Sequence, residues 1–467
     1  MKGWSRAKRT KIVCTLGPAS STPRVVEAMI REGMDVARLN FSHGTRAEHA
    51  RVARLVRRLS DRVGRPVAVL GDLAGPRIRV GRMAADTVLR PKSRVTVTPR
   101  DVIGDEATVP ISYRGLARDV RRGDLILLAD GSLELRVDSR RGRDLQCRVL
   151  VGGPLASHKG VNVPSRALSL PSLTEKDAND LRFAVAAGFD VIAQSFVRSP
   201  KDIAAAKAIT RRAGRDTPII AKVECQGALD RLEAIIDAAD GVMVARGDLG
   251  VEIPLARVPA VQKRIIHLAN ARAKPVITAT QMLESMVDTP RPTRAEAADV
   301  YNAILDGTDA VMLSEESAVG RHPVESVRTL ASIAREAEAA LRLRPGNAEE
   351  EVKAAVAAAA VELAEDLGAA AILTPTSTGR TPRAIARHRP RQPILALTAD
   401  PHVLRALTLV WGVVPVAVRG SLRLDGLVGR ARGLLREEGL PRAAPVVLTM
   451  GYPRGKGLTN MVLVVEA

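Results

Sequence analysis

Short apolar runs recur along the chain and alternate with stretches whose apolar residues fall three or four positions apart. The runs lie at 12–16, 36–39, 67–70, 191–193, 219–221, 242–245, 276–277 with Ala279, and 310–313. Runs of this length bounded by turn residues read as buried strands. Between them, segments such as 25–32, 47–62 and 259–273 predict amphipathic helices. Eight strand–helix units in series predict a parallel α/β barrel, class α/β, of the (β/α)8 type.

The series is interrupted once, after the third run. Residues 77–159 are rich in Val, Arg and Gly, with strand-like pieces at 94–98, 125–129 and 133–137. Asp130-Gly131 reads as a hairpin turn. This segment is expected to be a small β domain inserted into the barrel. The remainder, 1–76 and 160–340, then has the size of a complete barrel, about 250 residues. Arg344-Pro345-Gly346 marks a second boundary. Residues 341–467 again alternate, with runs at 370–373, 394–397, 413–418, 446–448 and 462–465, and predict a third, α/β domain with a mixed sheet.

Composition changes this picture little. Lys and Arg number 71 against 51 acids, a formal charge of +20 that invites a nucleic-acid partner. Aromatic residues are only 2%, which argues against base stacking on a single strand. Arg outnumbers Lys 58 to 13, a bias that a GC-rich genome also produces. The cysteines, Cys14, Cys147 and Cys225, form no CxxC pair, so neither a zinc knuckle nor a disulfide framework is expected. No apolar stretch approaches a membrane span and no secretory leader is legible, so a cytoplasmic location is expected.

Barrel chemistry gathers at the C-terminal ends of strands, and here those ends are consistently polar. They carry Arg38, Asn40 and Ser42; Asp72, Arg77 and Arg79; Lys222 and Glu224; Arg246, Gly247 and Asp248; Thr278, Thr280 and Gln281; and Ser314, Glu315 and Glu316. Taken singly, each has a structural explanation: Lys222 and Glu224 could be an ion pair, and Asp248 a helix cap. Converging on one mouth, so many charges are costly unless an anion and a metal bind there. Glu224 and Asp248 are hard oxygen ligands suited to Mg²⁺. Arg38 and Arg79 suit bidentate phosphate contact, and Lys222 suits a phosphoryl group in transfer. Backbone N–H groups near Gly247 suit a carboxylate, and Thr280 can bond near the reacting carbon. No Walker A or GxGxxG pattern sits at a strand–helix junction.

These residues lie in longer strings: KIVCTLGPAS at 11–20, DVARLNFSHG at 35–44, HKGVNVP at 158–164, VMVARGDLGV at 242–251, TQMLESMVDTPRPTRAE at 280–296 and MLSEESAVGRHP at 312–323. Together they resemble the pyruvate kinase family over essentially the whole chain. The resemblance implies a TIM barrel with an inserted small β-barrel lid and a C-terminal α/β regulatory domain. It implies phosphoryl transfer from phosphoenolpyruvate to ADP in glycolysis. It assigns Lys222 to the moving phosphoryl, Glu224 and Asp248 to Mg²⁺ or Mn²⁺, Arg38 and Arg79 to phosphates, and Gly247, Asp248 and Thr280 to the carboxylate end. Pro18, Asn40, His43, Arg79 and Lys159 resemble the nucleotide side. Thr374, Thr376, Ser377, Thr378, Gly379, Arg380 and Thr381, with Arg454 and Lys456, resemble the place of a phosphorylated effector. A homotetramer is the family expectation.

The chain departs from the family in three places. Where many members read D-T-K-G-P-E-I-R, this chain has Asp72-Leu73-Ala74-Gly75-Pro76-Arg77-Ile78-Arg79. In the monovalent-cation region of Asn40, Ser42, Asp72 and Leu73, Arg77 is expected to replace K⁺. The usual S-G-E-T-A is Ser314-Glu315-Glu316-Ser317-Ala318, and Cys225 follows Glu224. Glu315 adds a carboxylate beside the site, and Cys225 is expected to be packing. Two other readings compete. A metal-dependent, pyruvate-handling barrel lyase would need neither Lys222, Lys159 nor a lid. A catalytically impaired, basic regulatory or nucleic-acid-binding paralogue would cluster its Arg residues and lose its pocket; here cations spread over all three domains and the pocket survives, so no specific nucleic acid is expected.

Overall fold

The eight apolar runs form eight parallel strands that close into one barrel in the computed structural model. We label them β1 (Lys11–Thr15), β2 (Val36–Asn40), β3 (Ala68–Asp72), β4 (Val191–Gln194), β5 (Ile219–Val223), β6 (Gly241–Ala245), β7 (Val276–Ala279) and β8 (Ala310–Leu313). The structure describes all residues except 1–3, 5–6, 165–167, 342–351, 420–423, 442, 452–458 and 467. The boundary expected at Arg344-Pro345-Gly346 lies outside the described residues. Every strand is buried along nearly its whole length, which is why the runs are apolar without alternation.

Local signals place the helices. Thr45 caps the helix Arg46–Val63 in a reciprocal box with Glu48, and Gly64, at φ 73°, ends it in the left-handed conformation. Part of the long 280–296 string is the same device. Thr293 caps the helix Arg294–Asp306, while Glu296 accepts the backbone N–H of Ser285 at 2.7 Å and so pins the preceding loop.

The N-terminal end of the barrel holds a feature that the apolar pattern conceals. Asp35, Asp190, Asp240 and Asp309 each stand directly before β2, β4, β6 or β8. Each carboxylate accepts a backbone N–H at the start of the preceding strand in sequence or barrel order: Ile12, Val69, Ile219 and Val276, at 2.8 to 3.0 Å. Each also meets a cation, respectively Lys8, Arg57, Lys207 and Arg389. Four acids thus tie the strand starts together, and a buried carboxylate of this kind is supported only because it is bonded on every side.

The inserted segment is a six-stranded mixed sheet with a two-stranded ladder beside it. Its hairpin joins Leu125–Leu128 to Leu133–Arg141 through Ala129, Asp130 and Gly131, all with positive φ. Bridges from Arg79 to Gly160 and from Val80 to Ile111 connect the two sheet edges, so the sheet curls into a small barrel. Its sheet takes in Val161–Asn162, and its core takes in Val163, so it reaches beyond the boundary expected at 159. The C-terminal part is a five-stranded sheet with one antiparallel edge strand, Met461–Glu466. It docks on the N-terminal end of the barrel: Arg389 and Arg405 reach Asp309 and Asp190. No helix among the described residues is long and apolar enough to cross a membrane.

Candidate functional site

At the other end of the barrel, the strand ends meet in a buried charge network. Arg38 is the third residue of β2, and its side chain runs along the barrel wall toward β3. Its Nε donates to Asp72 Oδ2 at 2.7 Å, and a terminal nitrogen donates to Thr15 Oγ1 at 2.7 Å. Lys222, near the end of β5, lies 2.7 Å from Glu224 Oε1 and 3.3 Å from Asp72 Oδ1, and donates to Ser195 Oγ at 2.7 Å. Ser195 in turn donates to the Leu73 carbonyl at 2.7 Å. Arg38, Asp72, Lys222 and Glu224 therefore form one chain of alternating charge, all of it buried.

Burial works against every charge here, and the neighbours decide the outcome. For Asp72 the burial penalty is outweighed by Lys222 and Arg38, so its carboxyl titrates below the usual range. For Lys222 burial opposes the charge, but Asp72 and Glu224 hold its ammonium above its ordinary value. Glu224 goes the other way: burial raises it and the nearby charge of Asp248 adds to that, against the pull of Lys222. Burial also pushes the Cys225 thiol up to about 12, and its Sγ faces the Val197 carbonyl, so it is a packing group here.

Glu224 and Asp248 are the pair to test against a divalent cation. Glu224 Oε2 accepts the Phe196 N–H at 2.8 Å, whereas buried Oε1 accepts no well-aligned hydrogen bond. A buried carboxylate whose Oε1 faces only the Lys222 ammonium, and whose pKa is raised by burial and by the nearby charge of Asp248, fits a hard cation. Among the described residues no group of three or more His, Cys, Asp or Glu forms a metal cluster. That also fits Mg²⁺, which binds through one or two carboxylates and keeps substrate oxygens and waters.

The turn after β7 is built on strained backbone. Thr280 and Gln281 follow β7 with φ of 70° and 53°, a region that non-glycine residues enter only when their surroundings hold them. Arg246 holds them: it donates to the Thr280 carbonyl at 2.6 Å and is anchored by Asp299 at 2.7 Å. The Thr280 hydroxyl accepts the Gly247 N–H at 2.9 Å and donates to the Ala279 carbonyl. Gly247 and Asp248 open the helix Arg246–Glu252 after β6.

A cavity of about 650 Å³ lies between the barrel mouth and the inserted domain. His43, Arg77, Arg79, Lys159 and Asp248 line it, as does Glu315. Arg79 donates to the His158 carbonyl at 2.8 Å, and His158 has φ 64°. Lys159 is exposed in the cleft. Pro18 opens an exposed turn after β1, where Gly17 lies so close to Ala318 that any β-carbon would clash. Asn40 accepts the Ser42 N–H, and the Ser42 hydroxyl is buried without a hydrogen bond. Leu73 presents only its backbone, its side chain being fully buried. Arg77 is exposed and forms no ion pair among the described residues, so its guanidinium is not against Asp72. Glu316 is structural: it is buried and accepts the N–H groups of Leu283 and Ser314.

In the C-terminal part, Thr374 is fully buried on the strand Ala371–Pro375. Thr376 accepts the Gly379 N–H, Thr381 bonds Thr459, and Ser377, Thr378 and Arg380 are exposed. Arg454 and Lys456 lie outside the described residues.

Sequence reasoning missed Thr15, Ser195 and Phe196, all of which touch the charge network. The first and fourth strands are the ones whose polar ends went unread, although Thr15 lies within the one apolar run and Gln194-Ser195 directly follows the other.

Comparison with known proteins agrees with this geometry. The family model described as pyruvate kinase, barrel domain, matches residues 7–327, and the one described as pyruvate kinase, alpha/beta domain, matches residues 354–465. The chain is 45% identical to a Synechocystis protein named pyruvate kinase 2, across 98% of this chain and 79% of that one. It is 42% identical to the pyruvate kinase of Clostridium acetobutylicum, across 98% and 99%. It is 44% identical to that of Mycobacterium tuberculosis, across 97% and 98%. The chain belongs to the pyruvate kinase family of phosphotransferases.

Proposed function

We propose that the charge network at the barrel mouth moves the phosphoryl group of phosphoenolpyruvate onto ADP, giving pyruvate and ATP. The observation that carries this is Lys222, buried at the barrel mouth and held cationic by Asp72 and Glu224. Arg38 and Lys222 bind the phosphate. Gly247 and Thr280 receive the carboxylate, the Thr280 hydroxyl giving up its bond to the Gly247 N–H. The bond from phosphorus to the enol oxygen breaks as one forms to a terminal oxygen of ADP, and the enolate takes a proton at its methylene carbon. Lys222 balances the charge of the phosphoryl in flight. Glu224 and Asp248 would hold Mg²⁺, which supplies further positive charge to the phosphate oxygens. Arg79, Lys159, His43, Asn40 and Pro18 surround the nucleotide. The inserted domain, which begins near residue 77 and runs through Val163, acts as a lid that keeps water from competing with ADP. A coupled assay tests this: pyruvate must appear with phosphoenolpyruvate, ADP and Mg²⁺, and stop when any one is withheld.

Two departures from the family give expected results. Arg77, without an acidic partner among the described residues, supplies the positive charge that K⁺ brings elsewhere. Adding K⁺ at constant ionic strength is then expected to leave kcat unchanged. The buried, unbonded Ser42 hydroxyl speaks for the opposite, and a several-fold rise in activity would decide for a bound cation. Glu315 lines the cleft that two anions must enter. Glu315→Gly is expected to lower the KM for ADP about two- to fivefold, since an exposed like charge costs up to about 1 kcal/mol; an unchanged KM would mean that the carboxylate turns away.

We further assign residues 341–467 to a regulatory domain, and its loop at 376–381 to a phosphorylated effector, since the loop joins a strand to a helix with exposed hydroxyls and Arg380. Assembly as a homotetramer follows the family.

A further inference from the structure

The helix Arg246–Glu252 has only seven residues, yet its two ends serve different parts of the molecule. Its first turn carries Gly247 and Asp248. Its last turn faces the inserted domain. There the Asn162 side-chain amide donates to Glu252 Oε1 at 3.1 Å. Asn162 lies on the strand Val161–Asn162, which pairs with Leu127–Leu128 inside the inserted sheet. The hairpin tip meets the same turn: a β-carbon on Gly131 would sit 3.7 Å from Val251 Cγ1. Among these contacts only Asn162 to Glu252 is directional, and its acceptor is half-buried. Leu249, at the middle of the helix, is fully buried, so the helix shifts as a body or not at all.

We propose that Glu252 is a positioning residue, a latch through which the closed lid fixes Asp248 and Gly247 at the other end of the helix. When Asn162 engages Glu252, the helix is clamped between lid and barrel. When the lid lifts, the bond breaks and the first turn loses its restraint. The position of Glu252 has a second consequence. Burial raises its pKa, and the charges of Asp248 and Glu224 add to this, while Asn162 opposes them. The amide therefore also opposes the protonation that burial and the neighbouring carboxylates favour at Glu252. The inference rests on the reading of the inserted domain as a lid.

The test combines a double-mutant cycle with a direct view of the lid. Asn162→Ala and Glu252→Ala are each expected to lower kcat/KM for ADP about tenfold, the worth of one hydrogen bond to a charged group, and to raise the half-saturating Mg²⁺ concentration. The double variant is expected to be no worse than either single, because both remove one bond. Glu252→Gln keeps an acceptor oxygen and should recover most of the loss, which a merely structural role would not explain. In parallel, amide exchange across residues 125–137 is followed on adding Mg²⁺, ADP and pyruvate to the wild type. Protection there together with non-additive losses supports the latch. Protection with additive or absent losses overturns the latch and leaves the lid standing. No protection in the wild type overturns both.

Discussion

Replacing Lys222 with Met is expected to lower kcat by about three to five orders of magnitude, while the KM for phosphoenolpyruvate changes by less than about tenfold. The asymmetry follows from where the ammonium sits. In the resting site Lys222 is already committed to Asp72, Glu224 and Ser195. Arg38 and the backbone near Gly247 remain to hold the ground-state substrate. In the proposed mechanism, what only Lys222 does is meet charge that develops on the phosphoryl as it leaves the enol oxygen, at a place where the low dielectric magnifies the contact. The substitution also strands two buried carboxylates, and breaking one side of such a network costs about 3–5 kcal/mol. Thermal melts of the variant should therefore fall well below the wild type without metal and recover partly with Mg²⁺. Steady-state kinetics with both substrates varied checks the first part. A variant retaining kcat within about tenfold would remove Lys222 from the transfer step.

Arg389→Met is expected to lower stability by about 3–5 kcal/mol and leave kcat at low temperature nearly unchanged. The guanidinium is fully buried between the barrel and the C-terminal domain. It donates to the carbonyls of Ala386 and Gly307 and to Asn270, pairs with Asp309 at 3.2 Å, and stacks over Trp411 with 5.1 Å to the ring centre. Asp309 also accepts the N–H groups of Trp411 and Val276, so it cannot simply swing out to water when its partner is lost. The damage falls at the barrel end away from the mouth, which is why chemistry and stability should separate. Urea unfolding followed by circular dichroism measures the loss. Arg389→Lys keeps the charge but not the planar fork, and should recover only part of it. An unfolding free energy within about 1 kcal/mol of the wild type would contradict a role for this contact in joining the two domains.

Much of this architecture was legible because burial on both faces leaves a plain trace. All eight barrel runs became strands, and so did the Asp130-Gly131 hairpin and the mixed C-terminal sheet. What the sequence hid has physical reasons. Asp35, Asp190, Asp240 and Asp309 look like turn residues ahead of a strand. Only the closed barrel brings each to the N–H of its neighbour. The inserted sheet ran past the expected edge at 159 because a two-residue strand, Val161–Asn162, is too short to show a period. Thr280 gave no sign of its positive φ, since no local rule puts a β-branched residue there; Arg246 holds it from the helix after β6. Arg77 was expected to supply the charge of a monovalent cation; a long exposed side chain has no address in sequence, and only the fold shows that it lines the cleft. Glu315 likewise could be placed only by folding the turn after β8.

The most direct test follows a labelled phosphorus atom. Phosphoenolpyruvate carrying a radiolabelled phosphoryl group is incubated with the wild-type protein, Mg²⁺ and ADP, and the products are separated. If Lys222, Arg38, Glu224 and Asp248 act as described under a lid that excludes water, the label appears in ATP in step with pyruvate. Label released as inorganic phosphate, or left in phosphoenolpyruvate under these conditions, would contradict it.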